Sequence, residues 1–174
     1  NRHSQWESYL ITDLRGDVHA RFPALSTARA DTALIGISRG GFGAVLLALK
    51  HPEMFAFVTA MSGAFDLPLR RMRLRAFMSA LGVRRAFGPF NQRADNNPYM
   101  LMTHVSPAQA PAFLITCGAN DPLLATDRRM AAALAARGFA VTFRTVPGDH
   151  DWSTWNSQLP IVEAALRRRV ETTP

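Results

Sequence analysis

The spacing of apolar positions changes period several times along the chain. Trp6, Leu10, Leu14, Val18 and Phe22 recur at helical intervals. Ser4 and Glu7, three residues apart, form a capping-box pattern just ahead of them. Pro23 cannot continue a helix, so the spacing predicts a helix over residues 5–21. Thr32 to Ile37 is a short β-prone run and predicts a strand. Gly40 to Lys50, rich in alanine and leucine, predicts a helix that ends near His51-Pro52. Phe55 to Met61 predicts a second strand, closed by Ser62-Gly63, and Ala112 to Cys117 a third. Asp127 to Arg137 predicts a helix stopped by Gly138, Ala140 to Val146 a fourth strand, and Leu159 to Val170 a last helix. The arginines at 167–169 complement the dipole of that helix.

Residues 66–105 interrupt this rhythm. Leu74, Phe77, Met78 and Leu81 share one helical face, a loop rich in Gly, Asn and Pro follows from Gly88 to Pro98, and a short helical stretch comes after it. Strands that alternate with helices predict a mainly parallel sheet covered on both faces. The expectation is one α/β domain over residues 1–174, with 66–105 a lid-like insertion over one end of the sheet.

Composition narrows the classes. With 174 residues, 48% hydrophobic and 19% charged, the chain is long enough to bury a real core. No apolar run approaches the roughly 20 residues that span a bilayer, so no stable membrane insertion is expected. The single cysteine, Cys117, excludes an internal disulfide and a cysteine-rich zinc site. The chain begins at Asn1 without a signal-peptide pattern. We expect sequence upstream of it, which leaves the compartment open. The net charge is +7, and Lys50 is the one lysine among 20 basic residues. The charge is spread along the chain apart from a cluster at Arg70, Arg71, Arg73, Arg75, Arg84 and Arg85. This reads as solvated surface with no nucleic-acid partner. A basic membrane- or nucleic-acid-facing segment is the alternative.

Gly36-Ile37-Ser38-Arg39-Gly40 is G-x-S-x-G, placed after a predicted strand and before a predicted helix. That context makes the motif meaningful, because a sharp strand-to-helix turn lifts the serine hydroxyl to the sheet edge. The flanking glycines are expected to avoid collisions there, and Gly41 and Gly43 to let the helix approach the sheet. The helix N-terminus aims backbone N–H groups at the same spot, where an oxyanion is stabilised. The Arg39 N–H is the candidate donor.

A serine nucleophile needs a base, usually a histidine oriented by a carboxylate. The third strand leads into Gly118-Ala119-Asn120-Asp121, and the fourth into Gly148-Asp149-His150-Asp151-Trp152. Asp121 and His150 therefore fall at the same sheet edge as Ser38, where open α/β sheets bind ligands. Asp66, after the second strand, is a rival acid. Asp149 and Asp151 sit too close in sequence to His150 to bond its ring easily. His3, His19, His51 and His104 have no partner at metal-ligand spacing, so no metal and no cofactor are expected.

The segments G-I-S-R-G-G-F-G-A, H-P-E-M-F, M-S-G, A-F-G-P, C-G-A-N-D-P-L-L and P-G-D-H-D-W together resemble the esterase D-like group of α/β-hydrolases. That group includes tributyrin-type carboxylesterases, feruloyl esterases, S-formylglutathione hydrolases and mycolyl-transferase antigens. The likeness extends from Trp6 to the last helix, and C-G-A-N-D-P-L-L with H-D-W leans to the carboxylesterase and feruloyl-esterase branches. It implies Ser38 as nucleophile, Asp121 as acid, His150 as base and a small-molecule ester as substrate. Acyl transfer through the same triad is the alternative activity, and a non-catalytic binding fragment the alternative class. Members often carry methionine where this chain has Arg39. They also have further strands ahead of the first helix seen here, and a second oxyanion donor from that region. The resemblance thus implies an N-terminally incomplete fold, whose sheet edge an upstream segment or a second copy would cover. Trp152 and Trp155, beside His150, are candidate walls of an acyl or aromatic pocket, with Trp152 the candidate substrate contact; core or surface packing is the alternative for both.

Overall fold

The computed structural model describes residues 5–66 and 94–171. The capping serine Ser4, the arginines at 70–85 and the apolar face of Leu74, Phe77, Met78 and Leu81 lie outside the described residues. Of the expected insertion, Asp66 and residues 94–105 are described.

The first helical segment runs as α1 (Gln5–Ser8), a π-helical turn (Tyr9–Asp13) and α2 (Leu14–Arg21). The π turn adds a residue to one turn and shifts the face that follows it. The outcome differs from a simple apolar stripe. Trp6 is 74% exposed and Phe22 58%, and it is Ile11, inside the π turn, that packs against the core. Glu7 binds Lys50 at 2.6 Å and His51 at 2.9 Å, tying α1 to the end of the helix that follows Ser38.

Four strands follow, β1 (Ala33–Ile37), β2 (Phe57–Met61), β3 (Ala112–Gly118) and β4 (Val141–Val146). They form one parallel sheet in the order β1-β2-β3-β4. A sheet that grows in one direction through crossovers of one hand places its crossover helices on one face. Accordingly α3 (Arg39–Lys50) and α5 (Leu124–Ala136) cover one face. There Phe42, Val45, Leu49, Met130 and Leu134 close on Val58, Ala60, Phe113 and Ile115. The short α4 (Pro98–Leu101) lies beside α3. The opposite face is covered by α6 (Trp152–Glu171), with Trp155, Ile161 and Val162 against Phe57, Met61 and Leu114. β2 and β3 are buried almost throughout, as apolar runs in a two-sided sheet require. β1 is an edge strand, and Ile35 on it is 51% exposed.

Two helix starts differ from expectation. The final helix begins at Trp152, seven residues early, because Asp151 caps it by accepting from the Thr154 N–H at 2.8 Å. Pro160 lies inside it without ending it. α5 begins three residues early, at Leu124. The cap sets the loop that carries His150 onto the first turn of α6.

Candidate active site

The elbow is built by backbone crowding. Ser38 has φ 55° and ψ −116°, a strained conformation that costs about 1–3 kcal/mol. A Cβ at Gly36 would run into the Gly40 carbonyl, so only glycine fits there. The other flanking position differs from expectation: a Cβ at Gly40 or Gly43 would meet open space. Gly41 does allow close packing, with Ala60 Cβ and the Gly63 Cα each 3.3 Å from where its Cβ would stand. The strained turn is held from below. Ser38 N–H donates to the Met61 carbonyl at 2.8 Å, and Ala64 N–H donates to the Ser38 carbonyl at 3.2 Å.

The loops after β3 and β4 are locked to each other. Ala119 N–H donates to the Val146 carbonyl (2.8 Å) and Asn120 N–H to the Gly148 carbonyl (2.9 Å). Gly148 has φ +128°, and a Cβ there would run into Thr154. Asp149 N–H donates to Thr154 Oγ at 2.9 Å. The result aims His150 between two partners. Its Nε2 lies 3.0 Å from Ser38 Oγ and its Nδ1 lies 2.9 Å from Asp121 Oδ2. The Asp121 side chain is fully buried, and its Oδ1 accepts from the Leu123 N–H at 2.7 Å. A neutral His150 protonated on Nδ1 donates to Asp121 and accepts from the Ser38 hydroxyl. That arrangement suits a serine that gives up its proton as it attacks.

Two of the three rival carboxylates are engaged elsewhere. Asp66 accepts from Thr126 Oγ at 2.8 Å and pairs with Arg129 at 2.6 Å. Asp151 serves as the α6 cap, and the Thr154 N–H bond holds its carboxyl below the usual range. The Arg39 N–H opens α3, where the first amides have no carbonyl within the helix. Among the described residues no group of three or more His, Cys, Asp or Glu is placed to hold a metal ion. Nor is any described helix long and apolar enough to cross a membrane.

Trp152 is 69% exposed and meets the edge of Trp155, with ring centroids 5.1 Å apart. Trp155 in turn stands edge-on to His150 at 5.0 Å and donates its indole N–H to Ser62 Oγ at 3.2 Å. Both the histidine contact and the hydrogen bond to Ser62 escaped the sequence reading. The signal for them was the cap pattern Asp151-x-x-Thr154, which starts the helix early enough to turn Trp155 inward. Asp127 also escaped notice. It is fully buried behind the site, and burial pushes its carboxyl up to about 8 against the opposing pull of the Gly63 amide and the Cys117 thiol. Burial, with the nearby Asp127 and Asp121 carboxylates, pushes the Cys117 thiol up as well.

Residues 1–166 match the Esterase family model, described as "Putative esterase". The chain belongs to this family. An acetyl esterase of Caldicellulosiruptor saccharolyticus is 28% identical over 139 residues, covering 75% of this chain and 52% of that protein. The diacylglycerol acyltransferase/mycolyltransferase Ag85A of Mycobacterium tuberculosis is 25% identical over 196 residues, covering 98% of this chain and 56% of its own length. The solved structure of the fluorophosphonate-binding serine hydrolase FphF of Staphylococcus aureus, with substrate bound, superposes with a TM-score of 0.74 at 26% identity. That match covers 92% of this chain and 62% of the other. The fold of this esterase-family chain is the α/β-hydrolase fold, and the chain spans about half the length of the curated relatives it matches.

Proposed function

We propose that this esterase-family chain carries the catalytic triad of a serine carboxylic ester hydrolase. The observation that supports the reading is the unbroken series Ser38 Oγ, His150, Asp121, with links of 3.0 and 2.9 Å. Ser38 attacks the ester carbonyl while His150 Nε2 takes its proton. Negative charge on the carbonyl oxygen is met by the Arg39 N–H at the start of α3. His150 returns the proton to the leaving alcohol, which departs and leaves an acyl-Ser38 ester. A water deprotonated by His150 then releases the acid. Asp121 holds the imidazole in register and stabilises its cation. Trp152, exposed on the His150 side, contacts the acyl or alcohol part of a small-molecule ester.

The test is reaction with a fluorescent fluorophosphonate and turnover of p-nitrophenyl acetate. We expect both in the wild-type protein, and Ser38→Ala to lose labelling and at least about 10⁴-fold in kcat. Retained turnover in that variant would sink the assignment.

Acyl transfer to an acceptor other than water uses the same groups, and the likeness to Ag85A favours considering it. Product analysis with alcohol or sugar acceptors separates the two, because a transferase partitions the acyl group to the acceptor at concentrations far below that of water.

A further inference from the structure

Behind the proposed triad lies a second set of contacts that the reaction does not use directly. The turn after β2 begins at Ser62, which has φ 50° without being glycine. Met61, the last residue of β2 just ahead of this turn, accepts from the Ser38 N–H, and the turn itself meets the elbow through the Ala64 N–H to Ser38 bond. It meets the histidine side through Ser62 Oγ, which accepts from Trp155, the ring packed edge-on against His150. What holds the turn in place is a side chain from α5. Asp127 Oδ1 accepts from the Gly63 N–H at 2.8 Å in a fully buried bond. Its Oδ2 is buried with no N–H or O–H donor on it among the described residues, the Cys117 thiol, a weak donor, being the polar neighbour that acts on the carboxyl. Asp127 lies six residues beyond Asp121, on the helix that the acid's own loop leads into.

We propose that Asp127 is a positioning residue: by clamping Gly63 it fixes the 62–64 turn, and through that turn the registration of Ser38 with His150. The inference rests on the reading of Ser38 and His150 given above. A buried carboxyl held by one backbone amide and a weak thiol donor is a poor choice for packing alone, since an apolar side chain of similar volume avoids the desolvation cost. Its value is the directed acceptor. Burial pushes the carboxyl up to about 8, toward the neutral form that an amide imitates. Asp127→Asn keeps the acceptor toward Gly63, whereas Asp127→Ala removes it.

The experiment compares the full-chain wild-type, Asp127→Ala, Asp127→Asn and Ser38→Ala proteins. Three quantities are read: fluorophosphonate labelling rate, kcat and KM for p-nitrophenyl acetate, and amide hydrogen exchange at residues 62–64. Asp127→Ala should lower the labelling rate and kcat by about 10- to 100-fold, in the range of a misplaced catalytic group. KM should stay within about twofold, the pattern of a group acting on the transition state rather than on binding. Exchange at Gly63 should quicken at least about tenfold, the size of losing a buried hydrogen bond. Asp127→Asn should restore most of each loss. A folded Asp127→Ala with wild-type labelling, kcat and Gly63 exchange overturns the proposal. Should Asp127→Ala fail to fold, Asp127→Asn decides: retained kcat and slow Gly63 exchange support the clamp, and a tenfold loss in kcat overturns it. A wild-type protein that neither labels nor turns over counts against the triad reading instead, while Gly63 exchange in the variants still tests the clamp.

Discussion

His150 selects one carboxylate from four within reach of the sequence argument, and the reason is geometric. Asp121 sits in the first turn after β3, the strand paired with the strand that delivers His150, and its Oδ1 is pinned by the Leu123 N–H. Asp66 leaves from β2, one strand further away, and is engaged by Thr126 and Arg129. Asp121→Asn should therefore cut kcat for p-nitrophenyl acetate by about 10³- to 10⁴-fold, because the amide favours the wrong histidine tautomer. Asp66→Asn should leave kcat within about twofold. Steady-state kinetics on the two variants checks the assignment, and a reversed order of effects would move the acid to Asp66. At this scale the meeting of Ser38, His150 and Asp121 was legible, because each follows a strand in a parallel sheet and falls at the same edge. Trp155 and Asp127 were not legible. Their roles depend on which way a helix face turns, and that is decided by a cap or a start three to seven residues from where periodicity sets it.

Among the elements, the first helical segment shows how a correct period can give the wrong face. The predicted span of 5–21 is helical, yet a π turn occupies Tyr9–Asp13, and within it Ile11 packs inward while Leu10, and Leu14 just after it, remain exposed. No single residue in Y-L-I-T-D announces a π turn. Polar contacts also attach the segment: Glu7 to Lys50 and His51, with Lys50 also reaching Asn96 at 3.1 Å. Burial raises the Glu7 carboxyl, but Lys50 and His51 outweigh it and the net shift is downward from the ordinary 4.5. A folded-state pKa below the unfolded one gives stability that is present above pH 4.5 and lost as pH falls through the folded value. Glu7→Gln should cost about 1 kcal/mol at pH 7, as befits a partly exposed pair. The difference from wild type should shrink below pH 4.5. Urea midpoints at pH 7 and pH 3.5 measure both, and an undiminished difference at pH 3.5 would mean that the carboxylate is not what holds α1.

For the whole molecule, the parallel four-strand sheet and the placement of the site at its C-terminal edge follow from the alternation of strands and helices. Which helices share a face follows only once the strand order is known. The same architecture brings Asp127 into the space between α5 and the sheet, where Cys117, Asp121 and Asp66 are the titratable neighbours that act on it. This gives the protein a second pH window of opposite sense to that of Glu7. The Asp127 carboxyl is raised from 3.8 to about 8, so between those values the folded state holds a proton that the unfolded chain releases. Stability from this group is therefore greatest below pH 3.8, declines as pH rises toward 8, and is level beyond it. An asparagine at 127 cannot lose that proton. Asp127→Asn should gain on the wild-type protein steadily from pH 4 to pH 8 and hold a constant advantage above. Glu7 acts below this window, and groups common to both proteins cancel in the difference, so urea midpoints at pH 5, 7 and 9 isolate the buried carboxyl. A difference that does not vary with pH would mean that Asp127 is ionised throughout, with its charge balanced by a neighbour other than Gly63.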